Sequence, residues 1–302
     1  MAWFKRMFLF AAVNIAIVVT ISIILNLLGI GNYRIAGGGI DQSALLALCL
    51  VWGMGASIMS LLLSKMIAKW TMKIQIIDPN AGGREGELYR TVSRLAKAAG
   101  LPRTPEVGIY QSMEVNAFAT GPTRARALVA VSEGLLMSMS AAEVEGVLGH
   151  EIAHVANGDM VTMTLIQGVV NAFVMYFARI AAYGVSQFLR GNDREGEGLG
   201  GLAYMFTVMA FEIVFGILGS LIVNWFSRHR EYRADAGGAR FAGRQNMIAA
   251  LQRLKGTSEL EDAGNPSLAT LKISHKAPKY LGLFATHPDL NDRIARLQNF
   301  TA

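Results

Sequence analysis

Four apolar runs dominate this sequence and restrict what it can fold into. Residues 7–30, 43–64 and 160–178 contain no charged side chain, and residues 198–227 contain only one, Glu212. A helix of about 20 apolar residues crosses the hydrocarbon core of a bilayer, which is roughly 30 Å thick. The composition agrees with this, because 52% of the residues are hydrophobic, 17% are charged and the mean hydropathy is +0.36. We therefore expect four transmembrane helices, arranged as two hairpins.

Positive charges mark the two outer ends of the first hairpin. Lys5 and Arg6 precede the first run, and three lysines lie within residues 65–73 after the second, whereas the loop between the runs carries one basic residue, Arg34. Lysine and arginine are retained on the cytoplasmic side of a membrane. We therefore expect a cytoplasmic N-terminus and a cytoplasmic location for the chain that follows the second run. The first run is too long for a signal peptide and is expected to be a retained span.

The net charge of +6 is compatible with either a nucleic-acid or a membrane partner. The sequence contains no basic stripe interleaved with aromatic residues, so we expect no nucleic-acid partner. The lysines and arginines lie beside the apolar runs, which indicates a lipid bilayer instead. The single cysteine, Cys49, excludes an intramolecular disulfide.

Between the two hairpins, the composition changes to that of a folded soluble domain. Residues 84–99 have the pattern of an amphipathic helix, and short strands are expected at 105–110, 114–119 and 127–131. The resulting sheet is either ordinary scaffold or a substrate platform, because an exposed edge strand can bind an extended peptide through backbone hydrogen bonds. The predicted organisation is a first transmembrane hairpin at 1–73, a first part of the soluble domain at 74–159, a second hairpin at 160–227, and a second part of the domain at 228–302.

The segment from His150 to His154 indicates the chemistry of the chain. Its sequence, His-Glu-Ile-Ala-His, is the H-E-x-x-H pattern of zinc hydrolases. Residues four apart project from one face of a helix, so His150 and His154 can bind one metal ion while Glu151 reaches a water molecule. Ser140 and Glu143 form a predicted capping box that starts this helix. The alternative is a pair of packing histidines, which the helical context makes much the weaker interpretation.

A second pair of polar residues with the same spacing follows the fourth apolar run. Glu231 is the candidate third metal ligand, since a site with two histidines needs one more protein ligand. Asp235, one helical turn later, can accept a hydrogen bond from a ligand histidine and fix its tautomer. The alternative is a solvated face in which both carboxylates pair with Arg228, Arg233 and Arg240.

These segments together resemble the HtpX family of membrane metalloproteases, which is related to the CAAX prenyl endopeptidases. The resemblance extends over nearly the whole chain, in the order and with the four apolar segments of that family. The matching segments are Asn116-Ala-Phe-Ala-Thr-Gly121, His150-Glu-Ile-Ala-His-Val-Ala-Asn-Gly-Asp159, Glu231-Tyr-Arg-Ala-Asp235, and Thr286-His-Pro288 followed by Arg293-Ile294.

The resemblance implies an α+β, mainly helical protein with four transmembrane helices and a cytoplasmic gluzincin-type metalloprotease domain that carries a small β-sheet. It implies an enzyme of the bacterial inner membrane that removes damaged, misfolded or unassembled membrane proteins under stress, with other quality-control proteases as possible partners. It also implies one Zn²⁺ per chain held by His150, His154 and Glu231, Glu151 as catalytic base, and a substrate-binding strand formed by Asn116, Ala117, Phe118 and Ala119.

Two further polar residues leave alternatives open. His287 lies in the His-Pro element that, in related proteases, lies near the metal. There it could stabilise an oxyanion, occupy the open metal position in a resting enzyme, or only cap the following helix. Glu212 interrupts the fourth apolar run and either lines a polar groove or is a paired structural residue, with Gln167 and Asn171 as candidate neighbours.

Two other functions compete with that of a zinc endopeptidase. The CAAX-type prenyl proteases that this chain resembles form a closed chamber of seven transmembrane spans, whereas four spans are expected in this chain. A metal-stabilised membrane scaffold without catalysis has no use for Glu151, because a structural zinc site fills all four ligand positions and needs no base.

Overall fold

The computed structural model describes residues 39–190, 199–264 and 287–300, together with Val19, Thr20, Ile21, Ile23 and Leu27 of the first apolar run. The chain divides into two compact units, one formed by residues 1–60 and 164–223 and the other by residues 61–163 and 224–302. It is mainly helical. The helices are α1 (Gln42–Met72), α2 (Gly83–Ala98), α3 (Glu133–Ser138), α4 (Ala141–Asn157), α5 (Asp159–Arg190), α6 (Gly201–Ala242), α7 (Arg244–Gly264) and α8 (Leu290–Gln298), with a short 3₁₀ helix at Arg124–Arg126.

A small mixed sheet lies in the second unit. Its strand order is β1-β2-β4-β3, in which β2 and β4 are parallel and the two outer strands are antiparallel to their neighbours. Three of the strands lie within a few residues of the predicted positions, whereas the two-residue strand β1 was not predicted. The strands are β1 (Gln75–Ile76), β2 (Glu106–Tyr110), β3 (Ala117–Thr120) and β4 (Leu128–Ser132).

The core of the second unit explains why its helices form where they do. One face of the sheet packs against α2 and α4, which bring Leu95 and Leu148 onto Val107, Val129 and Val131. These apolar side chains recur at helical spacing in α2 and α4 and at alternate positions in the strands, so each element buries one face. The strand order places β3 at the edge of the sheet, with α4 beside it. Strand β3 follows the long turn at residues 111–116.

Three helices in the described part of the chain are long and apolar enough to cross a membrane, compared with the four spans that were predicted. They are α1, α5 and α6. The first predicted span, residues 7–30, lies outside the described residues except for the five helical positions given above. Residues 192–197, between the third and fourth apolar runs, also lie outside them. Helix α7 continues to Gly264, and residues 265–286 lie outside the described residues.

The charged residue of the fourth apolar run has a partner that was not predicted. Helix α5 continues beyond its apolar segment, and this brings Arg179 within 2.9 Å of Glu212 on α6. The predicted neighbours of Glu212 interact with each other instead, because Gln167 donates a hydrogen bond to Asn171 over 2.8 Å. The pairing interpretation of Glu212 is therefore correct, but its partner lies at the position where the third run was expected to end.

Candidate metal centre

Helix α4 holds the two histidines of the H-E-x-x-H segment. The predicted capping box is present at its start: the Ser140 side chain accepts from the Glu143 amide, and Glu143 Oε2 accepts from the Ser140 amide over 2.7 Å. The helix ends at Gly158, whose φ of 72° is the left-handed conformation that glycine adopts without strain. Between these ends, His150 and His154 share one face, and their Nε2 atoms lie 3.0 Å apart.

Helix α6 brings a carboxylate to the same point. Glu231 is 1% exposed, its Oε2 atom lies 3.4 Å from His150 Nε2, and its Oε1 atom lies 3.3 Å from His154 Nε2. The three residues form a group whose ligand atoms all lie within 4.8 Å of one another. The structure therefore brings together the three metal ligands suggested by the sequence, although 77 positions separate His154 from Glu231 in the numbering.

The donor set fits a metal ion. In the described part of the chain, neither buried oxygen of Glu231 accepts a hydrogen bond with good geometry, and a buried carboxylate without compensation is costly. Tetrahedral zinc with bonds of 2.0–2.1 Å requires ligand atoms about 3.3 Å apart, which is close to the separations given above. The ligand atoms of the three side chains, which otherwise face one another, would coordinate a cation bound among them.

Two aspartates orient the histidine rings. Asp235 Oδ1 lies 2.9 Å from His150 Nδ1, and Asp159 Oδ2 lies 2.6 Å from His154 Nδ1. Because a carboxylate only accepts, each Nδ1 carries the proton and each Nε2 lone pair points toward the metal position. Asp235 was predicted for this role. Asp159 was not, since its approach depends on the left-handed turn between α4 and α5.

Burial and the neighbouring carboxylates shift the pKa values of the imidazoles in opposite directions. Burial lowers the pKa of His154, but the adjacent carboxylates of Asp159 and Glu231 raise it, to about 9. Burial alone raises the pKa of Glu231, yet the neighbouring histidine rings hold it far below its ordinary value. The negative potential that raises the histidine pKa also favours a divalent cation.

Arg293 is a residue of the centre whose role the sequence did not reveal. It is buried, and it donates to both oxygens of Asp235, from Nε over 2.8 Å and from Nη2 over 2.6 Å. Burial raises the pKa of the Asp235 carboxyl, but Arg293 and then His150 outweigh burial and lower it. The available signal was a basic residue on the same face of α8 as Leu297, where an apolar residue is expected.

A cavity of about 210 Å³ is lined by two of the three candidate ligands, His150 and Glu231. Glu151, the candidate base, lines this cavity beside His150 and Glu231 without belonging to the metal-ligand group. His287 also lines it, with Nδ1 placed 3.0 Å from Glu231 Oε2 and a side chain that is 63% exposed. The candidate base and the histidine of the His-Pro element thus line the same cavity as His150 and Glu231.

The predicted substrate strand is only partly in this cavity. Asn116 and Ala117 line it, and Ala119 packs on the same face of the sheet as α4. Phe118 points to the other face, where its ring lies 5.8 Å from that of Tyr110. The alternation of side chains along a strand explains this difference.

Comparison with known proteins bears on this geometry. The family model described as "Peptidase family M48" matches residues 83–301. The chain belongs to peptidase family M48. Among curated relatives, it is 51% identical over 301 residues to "Protease HtpX homolog" of Bacillus licheniformis, covering 97% of the chain and 99% of the relative. It is 48% identical over 294 residues to "Protease HtpX" of Shewanella sp., with the same coverage.

These matches confirm the resemblance to the HtpX proteases, and the chain is a membrane metalloprotease. Its fold is also similar to that in the crystal structure of S. mikatae Ste24p, with a TM-score of 0.65 and 18% sequence identity. That alignment covers 98% of this chain and 66% of the yeast chain. Both proteins therefore share an architecture, and the longer chain contains additional structure.

Proposed function

We propose that the chain is a zinc endopeptidase that cuts damaged or misfolded membrane proteins at the cytoplasmic face of the bacterial inner membrane. The observation that carries this proposal is the convergence of His150, His154 and Glu231, two of which line a cavity together with Glu151. Three protein ligands beside an accessible cavity are typical of catalytic metal sites, since structural zinc sites have four protein ligands.

Zinc is the metal that suits this donor set best. Two imidazoles and one carboxylate are the ligands of several zinc peptidases, and all three are borderline donors that zinc binds in tetrahedral geometry. When bound, zinc makes water acidic enough to ionise near neutral pH and polarises a carbonyl group. His150 and His154 would present Nε2 to it, held in that tautomer by Asp235 and Asp159.

Glu151 acts as the general base. Its place in the sequence next to His150 directs it into the cavity, where the water that attacks the peptide carbonyl must lie. Glu151 takes a proton from this water as the carbon–oxygen bond forms, and it passes the proton to the nitrogen of the leaving amine as the peptide bond breaks. A carboxylate that served as a fourth ligand could not perform this transfer.

The edge strand binds the substrate backbone. Asn116 accepts a hydrogen bond from the Ser132 amide over 2.9 Å, and bonded and non-bonded pairs alternate along antiparallel strands. The N–H and C=O groups of Ala117 and Ala119 are therefore directed away from β4, toward the edge of the described sheet. A peptide paired there is bound through its main chain, which suits misfolded substrates of varied sequence.

We propose that His287 either assists catalysis or blocks the resting enzyme. Its ring lies close enough to Glu231 and to the cavity either to donate to the oxyanion of a tetrahedral intermediate or to occupy the open metal position in a resting state. Replacement by alanine distinguishes the routes. Loss of kcat supports oxyanion stabilisation, whereas a gain in activity supports a resting-state block.

The membrane arrangement is inferred from the sequence. The lysines after the second apolar run favour a cytoplasmic protease domain, and four spans return both ends of the chain to that side. The proposals that partner proteases take part in quality control and that the substrates arise under stress rest on the resemblance to the HtpX family. A C-terminal fusion to a reporter that functions only in the cytoplasm tests the orientation: it should be active, and an inactive but stable fusion would contradict the arrangement.

The fold likeness to Ste24p keeps a second candidate, a CAAX-type prenyl protease, open to test. Such an enzyme encloses its substrate within a chamber of more spans than this chain offers. We therefore expect unfolded casein to be cut at internal sites, and a prenylated C-terminal peptide to be cut no faster than its unmodified form. Faster cleavage of the prenylated peptide would favour the second candidate.

The decisive experiment compares zinc-loaded wild type with Glu151→Gln in detergent, using casein as substrate. Glu151→Gln should bind zinc as the wild type does but lose activity by a factor of about 100 or more. Glu145→Gln is the matched control, because Glu145 lies on the same helix and pairs with Arg94 outside the cavity. Equal activity of wild type and Glu151→Gln, or equal loss in the control, would overturn the proposal.

A further inference from the structure

The hydroxyl group of Ser132 ties the start of the edge strand β3 to the strand beside it. Ser132 is the last residue of β4 and the N-cap of α3, and it is completely buried. Its Oγ atom accepts from the Asn116 amide over 3.1 Å and from the Leu135 amide over 3.0 Å, and it donates to the Glu114 carbonyl oxygen over 2.6 Å. A serine hydroxyl has one hydrogen to donate and two lone pairs, so its whole hydrogen-bonding capacity is in use.

This hydroxyl takes the place of a main-chain group in the sheet. Ala117 and Val131 lie opposite each other in the antiparallel pair of β3 and β4, so Asn116 and Ser132 are the next residues along the ladder. The Ser132 amide donates to the Asn116 carbonyl oxygen over 2.9 Å, and regular pairing would return a bond from the Asn116 amide to the Ser132 carbonyl. The carbonyl of an N-cap residue instead accepts the first bond of its helix. The hydroxyl therefore extends the ladder to Asn116 while the chain turns into α3.

Residues 114–116 are held mainly by the serine hydroxyl. They precede β3, and the sheet ladder reaches only the last of them. Val115 packs against the core, whereas Glu114 and Asn116 are exposed. The Tyr110 hydroxyl also donates to the Asn116 carbonyl oxygen, but over 3.4 Å, which makes this a weak bond. The position of the two exposed residues therefore depends chiefly on the serine hydroxyl.

We infer that Ser132 is a positioning residue for the substrate: its hydroxyl fixes the start of β3 so that the edge groups of Ala117 receive the substrate backbone beside the metal centre. The inference rests on the proposed peptidase function, in which β3 pairs with the substrate. Asn116 and Ala117 line the cavity together with His150 and Glu151. A displacement of this end of β3 therefore displaces the paired peptide relative to the metal ligand and the base. Ser132 itself does not line the cavity and acts through Asn116.

Loss of the hydroxyl should affect substrate binding more than the chemical step. Ser132→Ala leaves two amide groups and one carbonyl group without their partner, and such groups recover hydrogen bonds only by turning toward water. The start of β3 is then no longer held in line with β4. Because main-chain pairing contributes equally to the ground state and the transition state, its loss raises KM and leaves kcat nearly unchanged. A loss of stability alone changes neither constant for the enzyme molecules that remain folded.

Three variants and one control separate positioning from stability. Ser132→Ala removes the hydroxyl. Ser132→Cys keeps a similar volume with a weaker donor and acceptor, and it provides the test if Ser132→Ala does not fold. Ser132→Thr keeps a hydroxyl at the same atom. Ser140→Ala is the matched control, because Ser140 is the N-cap serine of α4 and its side chain accepts from the Glu143 amide, outside residues 112–118.

The first measurement is the kinetics of casein cleavage by the zinc-loaded full chain in detergent, with thermal unfolding of each variant in parallel. Ser132→Ala should raise KM about tenfold and Ser132→Cys at least about threefold, while kcat changes by less than about twofold. Ser132→Thr and Ser140→Ala should keep a KM within about twofold of the wild type. Wild-type KM in whichever of the first two variants folds, a loss confined to kcat, a KM in Ser132→Thr as high as in Ser132→Ala, or an equal rise in Ser140→Ala overturns the inference and leaves the peptidase standing.

The second measurement does not depend on cleavage. Amide hydrogen exchange across residues 112–118 and binding of fluorescent casein are followed in zinc-loaded Glu151→Gln, with and without an added Ser132 substitution. The Asn116 amide, which is bonded to Ser132 Oγ, should exchange about tenfold faster once the hydroxyl is lost, and casein should bind about tenfold more weakly. Both changes in a chain whose wild type does not cut casein would support the positioning role while contradicting the peptidase. Unchanged exchange, or faster exchange with unchanged casein binding, overturns the inference.

Discussion

Replacement of Arg293 by lysine tests whether the outer residues of the centre control the metal. Arg293 donates two hydrogen bonds to Asp235, which in turn orients His150. Complete removal of a buried charge partner costs about 3–5 kcal/mol, a large part of a typical stability of 5–15 kcal/mol, so alanine risks unfolding. Lysine keeps the charge but cannot form the bidentate pair. The loss of one hydrogen bond to a charged group is worth about 1.5–3 kcal/mol.

That loss predicts a metal affinity about 10 to 100 times weaker in Arg293→Lys, because Asp235 no longer holds the His150 ring in place. Zinc affinity is measured for the full chain in detergent by competition with a fluorescent chelator, with thermal unfolding of the metal-free protein in parallel. Arg253→Lys is the matched control, since exposed Arg253 donates from two nitrogens to the Ser138 carbonyl and does not line the cavity. Wild-type affinity in Arg293→Lys, or an equal loss in the control, would refute this reasoning.

Three further predictions concern stability. Ser140→Ala removes the helix cap and should lower the free energy of unfolding by about 1 kcal/mol without altering zinc affinity; unchanged thermal unfolding would contradict the role of the cap. Gly53→Ala places a Cβ 2.6 Å from the Ala172 amide nitrogen and should destabilise the detergent-solubilised protein by about 1–3 kcal/mol, whereas Gly216→Ala, which meets no described atom within 4 Å, should not. Burial raises the pKa of Glu106, but hydrogen bonds from Lys65 and Lys69, at 2.8 and 2.5 Å, lower it. A carboxyl group whose pKa is lower in the folded state than in the unfolded state stabilises the protein at pH values above the unfolded-state pKa. This stabilisation is lost as the pH falls through the folded-state pKa. Glu106→Gln should therefore lower the melting temperature at pH 7, and the loss in free energy of unfolding should be less than about 1 kcal/mol for this partly exposed pair. In acid, the melting temperature of the variant should match that of the wild type. A difference that persists below about pH 3 would contradict the assignment.

The sequence predicted those features whose causes are local. Ser140 and Glu143 form the capping box that their spacing indicated, and Glu106–Tyr110 and Leu128–Ser132 are strands within one residue of the predicted bounds. Caps, turns and apolar periodicity act over a few residues, so they are visible in one dimension. The convergence of Glu231 with His150 was predicted only because the zinc pattern requires a third ligand.

The features that were missed depend on contacts between distant segments. Arg293 donates a hydrogen bond to Asp235 from another helix. The apolar residues of α7 border the cavity, and their sequence alone does not show this. Helix α5 extends beyond its apolar run, and Arg179, expected after the end of the span, pairs with Glu212. A charge within an otherwise apolar helix face is the signal that would have drawn attention to both arginines.

The most direct test of the central claim is X-ray absorption at the zinc edge on the purified full chain loaded with one equivalent of zinc. The account predicts one bound zinc ion with two imidazole nitrogens at about 2.0–2.1 Å and a carboxylate oxygen at about 2.0–2.2 Å. The imidazole signal should halve in His154→Ala. A zinc environment with a sulfur ligand, or one that is unchanged by both His154→Ala and Glu231→Ala, would contradict the assignment of these three side chains to one metal ion.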